Sequence, residues 1–206
     1  MRYSKAHKEK TRSSILQAAL NTFRTEGFNG IGVDGIAKAA GVTSGAFYKH
    51  FASKAEAFQS VVTEGFSSLR NAIIDYQGSK GPNWLNIFVK WYFSFPSQRP
   101  DGACGSLLPL EGGCALPSLT PEISRTDPAT KQLFEGEIYK IVEAIALGLP
   151  KELKQKKRLS WSILALLLGG VVLARSVRNE KTASDISSAV AMAIKQLTDK
   201  PKAESS

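Results

Sequence analysis

Apolar residues recur at helical spacing along almost the whole chain. Ser13 to Glu26 places Ile15, Leu16, Ala19, Leu20 and Phe23 on one face, and Gly27 closes that helix. Val33, Ile36, Ala37 and Ala40 then form a short i, i+3, i+4, i+7 stripe that stops at Gly41. A second short helix follows, with Phe47 and Phe51 on one face and Thr43 and Ser44 able to cap its start. Ser53-Lys-Ala-Glu56 is a capping box that opens a long helix carrying Phe58, Val62, Phe66, Leu69, Ile73 and Tyr76 inward. A helix of about 24 residues there would span roughly 36 Å. After a loop at Gly78–Pro82, residues 83–95 form an aromatic-rich helix. Residues 96–126 are rich in Pro and Gly and are expected to hold only short turns, such as Leu119–Ser124. Asp127-Pro128 opens a helix with Phe134, Ile138, Ile141, Val142 and Ile145 inward, closed by Gly148-Leu-Pro150. Leu159 to Val177 is apolar nearly all round, and Ser184 to Leu197 is a last amphipathic helix. No strand pattern and no internal repeat occurs, so the expected fold class is all-α.

The pair of short helices around Gly41 matters most. Two helices joined by a tight glycine turn make a DNA-reading helix-turn-helix unit when the second keeps a polar, partly basic outer face. Ser44, Gly45, Tyr48 and Lys49 supply that face. With the Ser13–Glu26 helix in support, the chain divides into a three-helix DNA-binding head, 1–52, and a larger helical domain, 53–206. Gly30-Ile-Gly32-Val-Asp-Gly35 also matches the glycine pattern of dinucleotide sites, with Glu56 further on. That motif needs a strand before it, and a capped helix stands there instead. Gly32 is better read as the N-cap of the next helix, with Asp34 in its first turn.

Charge sharpens this picture. The net charge is +9, and residues 1–54 hold nine Lys/Arg against three Asp/Glu. Two thirds of the excess thus lies in a quarter of the chain, the footprint of a polyanion partner over the helix-turn-helix. Residues 1–12 carry five of these cations and read either as a frayed terminus or as a basic arm. The second basic run, Lys151–Arg158, reads as a solvated connection.

Chemistry is sparse. Only His7 and His50 are present, no G-x-S-x-G or H-E-x-x-H pattern exists, and neither an enzyme, a metal nor a cofactor is expected. Cys104 and Cys114 form no disulfide framework in a chain of this length. A reactive thiol would need a neighbouring cation or helix N-terminus, which keeps a redox or electrophile sensor as an alternative. The polar, basic start resembles no signal peptide, and the longest apolar run, Ile163–Ala174, is short for a membrane span. A cytoplasmic protein without a membrane partner is expected. Trp84, Phe88, Trp91, Tyr92 and Phe95 crowd one short helix, as core and as the wall of a pocket for an apolar or aromatic molecule. Phe66, Cys114 and Phe134 complete the candidate ligand-binding set.

From Lys10 to Ala57 the chain resembles the DNA-binding domain of TetR-family transcriptional regulators. The matching residues are Thr11-Arg12, Ile15, Ala18-Ala19, Phe23, Gly27-Phe28, Val33, Ile36-Ala37, Ala40-Gly41-Val42, Gly45, Phe47-Tyr48, His50-Phe51 and Ser53-Lys54. Gly32 departs from the pattern, which more often has Ser or Thr there. The resemblance implies an N-terminal three-helix head, a helical ligand domain and a homodimer held by the last two long helices. It also implies that Thr43, Ser44, Gly45 and Ala46 approach base edges while Tyr48, Lys49, His50 and Lys54 meet phosphates. The expected function is a repressor released from a palindromic, double-stranded operator by a small-molecule inducer. An alternative from another class is an adaptor that binds polyanions without sequence preference.

Overall fold

The structure, a computed structural model, describes residues 5–94 and 113–199. Among these residues it contains nine α-helices, one 3-10 turn and no strand. The helices are α1 (Lys5–Gly30), α2 (Val33–Ala39), α3 (Ser44–Tyr48), α4 (Lys54–Lys80), α5 (Trp84–Tyr92), α6 (Ala115–Ile123), α7 (Pro128–Gly148), α8 (Lys156–Ser176) and α9 (Glu180–Thr198). The described residues form two compact units, 5–67 with 113–137, and 68–94 with 138–199. The first unit runs through residue 67, within α4, and takes in residues 113–137 beside the N-terminal helices.

In the first unit, α1 begins at Lys5 rather than at Ser13. Lys, Ala, Glu and Arg favour helix. The hydroxyls of Thr11 and Ser14 return hydrogen bonds to the carbonyls of His7 and Lys10. From Lys5 onward the basic run is therefore the first turns of a helix rather than an arm. The helix breaks at Gly27, where φ is +75°, a conformation that L side chains avoid. Ile15, Ala19 and Phe23 of α1 are buried with Ile36, Ala37, Phe47, Phe51 and Phe58. Phe23, Phe28 and Phe58 cluster with ring centroids 4.8 to 5.9 Å apart. The capping box forms as expected on the serine side, with the Glu56 amide donating to Ser53 Oγ at 3.1 Å. Glu56 itself reaches one residue further back and accepts from the Ala52 amide at 2.6 Å.

The Pro/Gly-rich stretch holds more helix than expected. α6 runs for nine residues and accommodates Pro121 in its interior. Thr120 Oγ1 donates to the Leu116 carbonyl at 2.7 Å, and Leu116, Leu119 and Ile123 are buried. α6 packs on α1. At the start of α7, Asp127 caps the helix by accepting from the Thr130 amide and hydroxyl at 3.0 and 2.7 Å. Gln59 on α4 then donates to Thr130 Oγ1 at 3.0 Å.

In the second unit, side chains bond the carbonyls around the end of α7, where intrahelical partners run out. Gln77 Nε2 donates to the Ala144 carbonyl, Trp84 Nε1 to that of Gly148 and Lys156 Nζ to that of Leu149, at 2.7 to 2.9 Å. Lys156–Arg158, expected in a connection, form the first turn of α8. By length and composition α8 could cross a membrane. Ser160, Ile163, Leu164, Leu167, Gly170, Val171 and Ala174 are nevertheless buried in its own unit, the stripe of a core helix. α9 is capped by Asn179, whose side chain accepts from the amides of Lys181 and Thr182, and it packs against α8. Ala183, Val190 and Ile194 form its buried stripe, while Leu197 is exposed.

Of the two adjacent glycines in α8, only Gly170 permits a close approach. A Cβ there would lie 2.8 Å from Phe93 Cζ and from Val190 Cγ2, whereas one on Gly169 would meet nothing within 4 Å. Overpacking of this kind costs about 1–3 kcal/mol, and replacing an open helical glycine by alanine gains up to about 1 kcal/mol. Gly170→Ala is therefore expected to lower the urea midpoint, while Gly169→Ala leaves it unchanged or raises it.

Candidate nucleic-acid interface

The helix-turn-helix is shaped by its caps. Gly41 ends α2 at φ +68°. Its amide donates to the Lys38 carbonyl at 3.1 Å and that of Val42 to the Ala37 carbonyl at 2.9 Å, the paired bonds of a left-handed helix terminus. Thr43 then begins α3 by accepting from the Ala46 amide at 3.2 Å. Gly32 caps α2 with backbone alone, and the helix before it contains Gly30, so the strand a dinucleotide loop requires is absent here.

With five residues, α3 cannot persist on its own. Tertiary packing holds it. Phe47 is fully buried and its ring lies 5.5 Å from that of Phe51, which the Arg12 guanidinium covers at 4.8 Å. This packing turns the other face outward: Thr43, Gly45, Tyr48 and Lys49 are exposed, with Tyr48 at 56%, and Ser44 and Ala46 are half-buried. A cleft runs between the start of α1 and α3, lined by His7, Lys8, Thr11, Thr43, Lys49 and His50. Seven of the eight residues expected at DNA therefore lie on α3 or its immediate flanks.

The eighth, Lys54, was expected at a phosphate and is engaged otherwise. Its ammonium donates to the carbonyls of Phe28 and Ile31 at 2.9 and 3.2 Å and sits 4.5 Å from the centre of the Phe28 ring. The contacts made by Lys8, Arg12, Asp34 and Glu122 have no counterpart in the sequence reading, where Arg12 is only a family match and Asp34 only a first-turn charge. Those of Lys8 and Arg12 were hidden because the basic run was not given a helical register. Asp34 accepts a hydrogen bond from Ser44 Oγ at 2.5 Å, and Glu122 accepts from the Phe28 amide at 3.1 Å. Neither long-range pairing has a local signature.

His50 is perturbed. Its Nδ1 is buried with no hydrogen-bond partner among the described residues. Burial is the main force holding its pKa below the usual 6.5, aided by the charges of Lys8, Arg12 and Lys49 and opposed by Glu9.

The candidate ligand-binding residues fall in both units. Phe66 and Phe134 pair in the first, with centroids 5.5 Å apart. Trp84, Phe88, Trp91 and Tyr92 form a continuous ring cluster in the second, to which Tyr76 adds a contact 5.2 Å from Trp91. Cys114 is 4% exposed at the N-cap of α6. Phe95 and Cys104 lie outside the described residues.

A capped, externally facing α3 in a basic three-helix head, carried by an otherwise helical chain, defines a helix-turn-helix protein of the nucleic-acid-binding class. Residues 15–61 match the family described as bacterial regulatory proteins, tetR family. Over 76 residues the chain is 37% identical to the HTH-type transcriptional regulator AcrR of Shigella flexneri, covering 37% of this chain and 35% of that one. Over 87 residues it is 45% identical to the HTH-type transcriptional repressor BepR of Brucella suis, covering 42% of each. The chain thus spans well under half the length of these curated relatives. In structure it resembles a TetR transcriptional regulator from Chloroflexus aurantiacus, with a TM-score of 0.73, 21% identity, and coverage of 93% of this chain and 97% of that one. Residues 15–61 are thus a TetR-family segment, and the chain carries the fold of TetR regulators.

The His50 environment has a consequence for stability. Because its folded pKa is lowered, the unfolded chain binds the proton more readily, so stability is full above about pH 6.5 and falls as pH drops through the folded value. Urea midpoints at pH 7.5 and 5.5 are expected to differ less in His50→Gln than in the unaltered protein.

Proposed function

We propose that the protein is a ligand-responsive repressor that binds an inverted-repeat operator as a homodimer and is released by an apolar or aromatic small molecule. The observation that carries this reading is the outward face of α3 beside a cleft lined by the cations Lys8 and Lys49 and by His50. In it, Thr43, Ser44, Gly45 and Ala46 approach base edges in the major groove, and Tyr48, Lys49 and His50 meet phosphates. Lys54 acts by holding the end of α1, an assignment supported by its two carbonyl partners.

Pairing of two chains through α8 and α9 is supported by Val172, Leu173 and Met192, apolar residues that these helices leave exposed. Two heads then read two half-sites, and half-site spacing fixes the separation they must keep. An inducer bound among the aromatic side chains shifts α4 and changes that separation, which lowers operator affinity. Burial of Cys114 supports release by a bound molecule over a thiol sensor at that position.

Selection from random duplexes is expected to recover an inverted repeat. Recovery of no preferred sequence, together with salt-sensitive binding to any polyanion, would instead establish the adaptor reading. Lys49→Ala is expected to weaken binding to all sequences alike and to reduce the salt slope by about 1. Lys54→Met should leave that slope unchanged and lower head stability by about 1–3 kcal/mol, since two carbonyls lose their partner. Leu173→Glu tests the dimer: sedimentation should show a monomer with native helix content and lost operator affinity.

A further inference from the structure

The contact between Ser44 and Asp34 bears on which bases the recognition helix accepts. A carboxylate has no proton to give, so in this hydrogen bond the Ser44 hydroxyl is the donor and Asp34 Oδ1 the acceptor. The single hydroxyl proton is thereby committed, and what Ser44 Oγ retains is acceptor capacity. Its neighbour Thr43 has the opposite polarity, because its oxygen accepts from the Ala46 amide and its proton stays available. Asp34 is itself exposed and adds carboxylate oxygens, which are also acceptors. Around Ser44 an otherwise basic head therefore presents acceptors and one negative charge, with Thr43 the one donor beside them.

The major groove offers few partners to such a surface. Guanine shows N7 and O6, both acceptors, and thymine shows O4, another acceptor. The donors are the exocyclic amino groups, N4 of cytosine and N6 of adenine. Acceptor lone pairs facing guanine or thymine oxygens are left unpaired, and the carboxylate adds repulsion.

We propose that Asp34 is a positioning residue that fixes Ser44 as an acceptor, so that the base opposite Ser44 must present an exocyclic amino group, cytosine N4 or adenine N6. This rests on the operator-binding reading above and sets the specificity of that same site. It also gives an acidic side chain a role in a surface that otherwise attracts phosphate.

The test begins with operator selection using the unaltered protein and Ser44→Ala, the position whose preference disappears in the variant being the one Ser44 reads. Cytosine or adenine is expected there. Replacing that cytosine by 2-pyrimidinone, or that adenine by unsubstituted purine, removes the amino group and shows which base supplies it. The loss of affinity is expected to be about tenfold for the unaltered protein and absent for Ser44→Ala. Asp34→Ala releases the hydroxyl proton, and selection at this one position should broaden to admit guanine or thymine while the other positions keep their preference. Thermal unfolding of each variant, with a midpoint near that of the unaltered protein, shows that the head is intact. Guanine or thymine opposite Ser44 in the unaltered protein, no effect of removing the amino group, or no position altered by Ser44→Ala overturns the proposal and leaves the repressor reading standing. Absence of any preferred sequence for the unaltered protein overturns both.

Discussion

The reversal at the end of α1 is the constraint on which the outward face of α3 depends. At Gly27 the chain leaves helical geometry with φ +75°, and the groups just beyond it lose their intrahelical partners. The Phe28 amide is met by Glu122 of α6, and the carbonyls of Phe28 and Ile31 by Lys54 of α4. An unpaired group in such a setting costs about 1–3 kcal/mol, a large part of a domain's net stability. One turn therefore joins three helices distant in sequence. The space is equally defined, since a Cβ on Gly27 would lie 3.3 Å from the Glu122 carboxyl.

From that anchor the reading surface follows by short steps. The turn delivers the chain to Gly32, α2 begins on backbone alone, and Gly41 reverses it within two hydrogen bonds. α3 is too short to be stable by itself, and Phe47, Phe51 and the Thr43 cap hold it. Its outward residues have no structural duty toward the core. Thr43 and Ser44 do have a duty at the helix start, and each keeps only part of its hydrogen-bonding capacity for an external partner. The charges around them act differently. Lys8 and Lys49 attract any polyanion and carry no sequence information, whereas hydrogen-bonding polarity discriminates among bases.

Much of this was legible from residue order because the signals are local. The stripe Val33–Ala40, the stop at Gly41, the box at Ser53–Glu56 and the Asp127-Pro128 start each lie within a few residues of what they specify. The start of α1 was misplaced by eight residues, because a basic run reads as a solvated tail until its helical register is considered. α6 was underestimated because proline argues against helix, whereas burial of Leu116, Leu119 and Ile123 offsets the missing amide of Pro121. The outward residues of α3 were legible from the motif. The roles of Lys54, Glu122 and Asp34 were not, since each depends on a partner that only the fold brings near. Lys54 and Phe28 lie 26 positions apart, and Phe28 and Glu122 lie 94 apart.

The same contrast separates the reading head from the rest of the chain. A groove has fixed dimensions and a fixed set of donors and acceptors, so the surface that meets it is constrained in shape and spacing, and such constraints leave patterns. A pocket for an apolar molecule needs only volume and rings, which are also what a helical core needs. Trp84 shows the ambiguity within one residue: its ring joins the aromatic cluster, and its indole N–H closes the end of α7 at Gly148. An aromatic side chain already committed to holding a helix terminus is constrained as wall material whatever it faces.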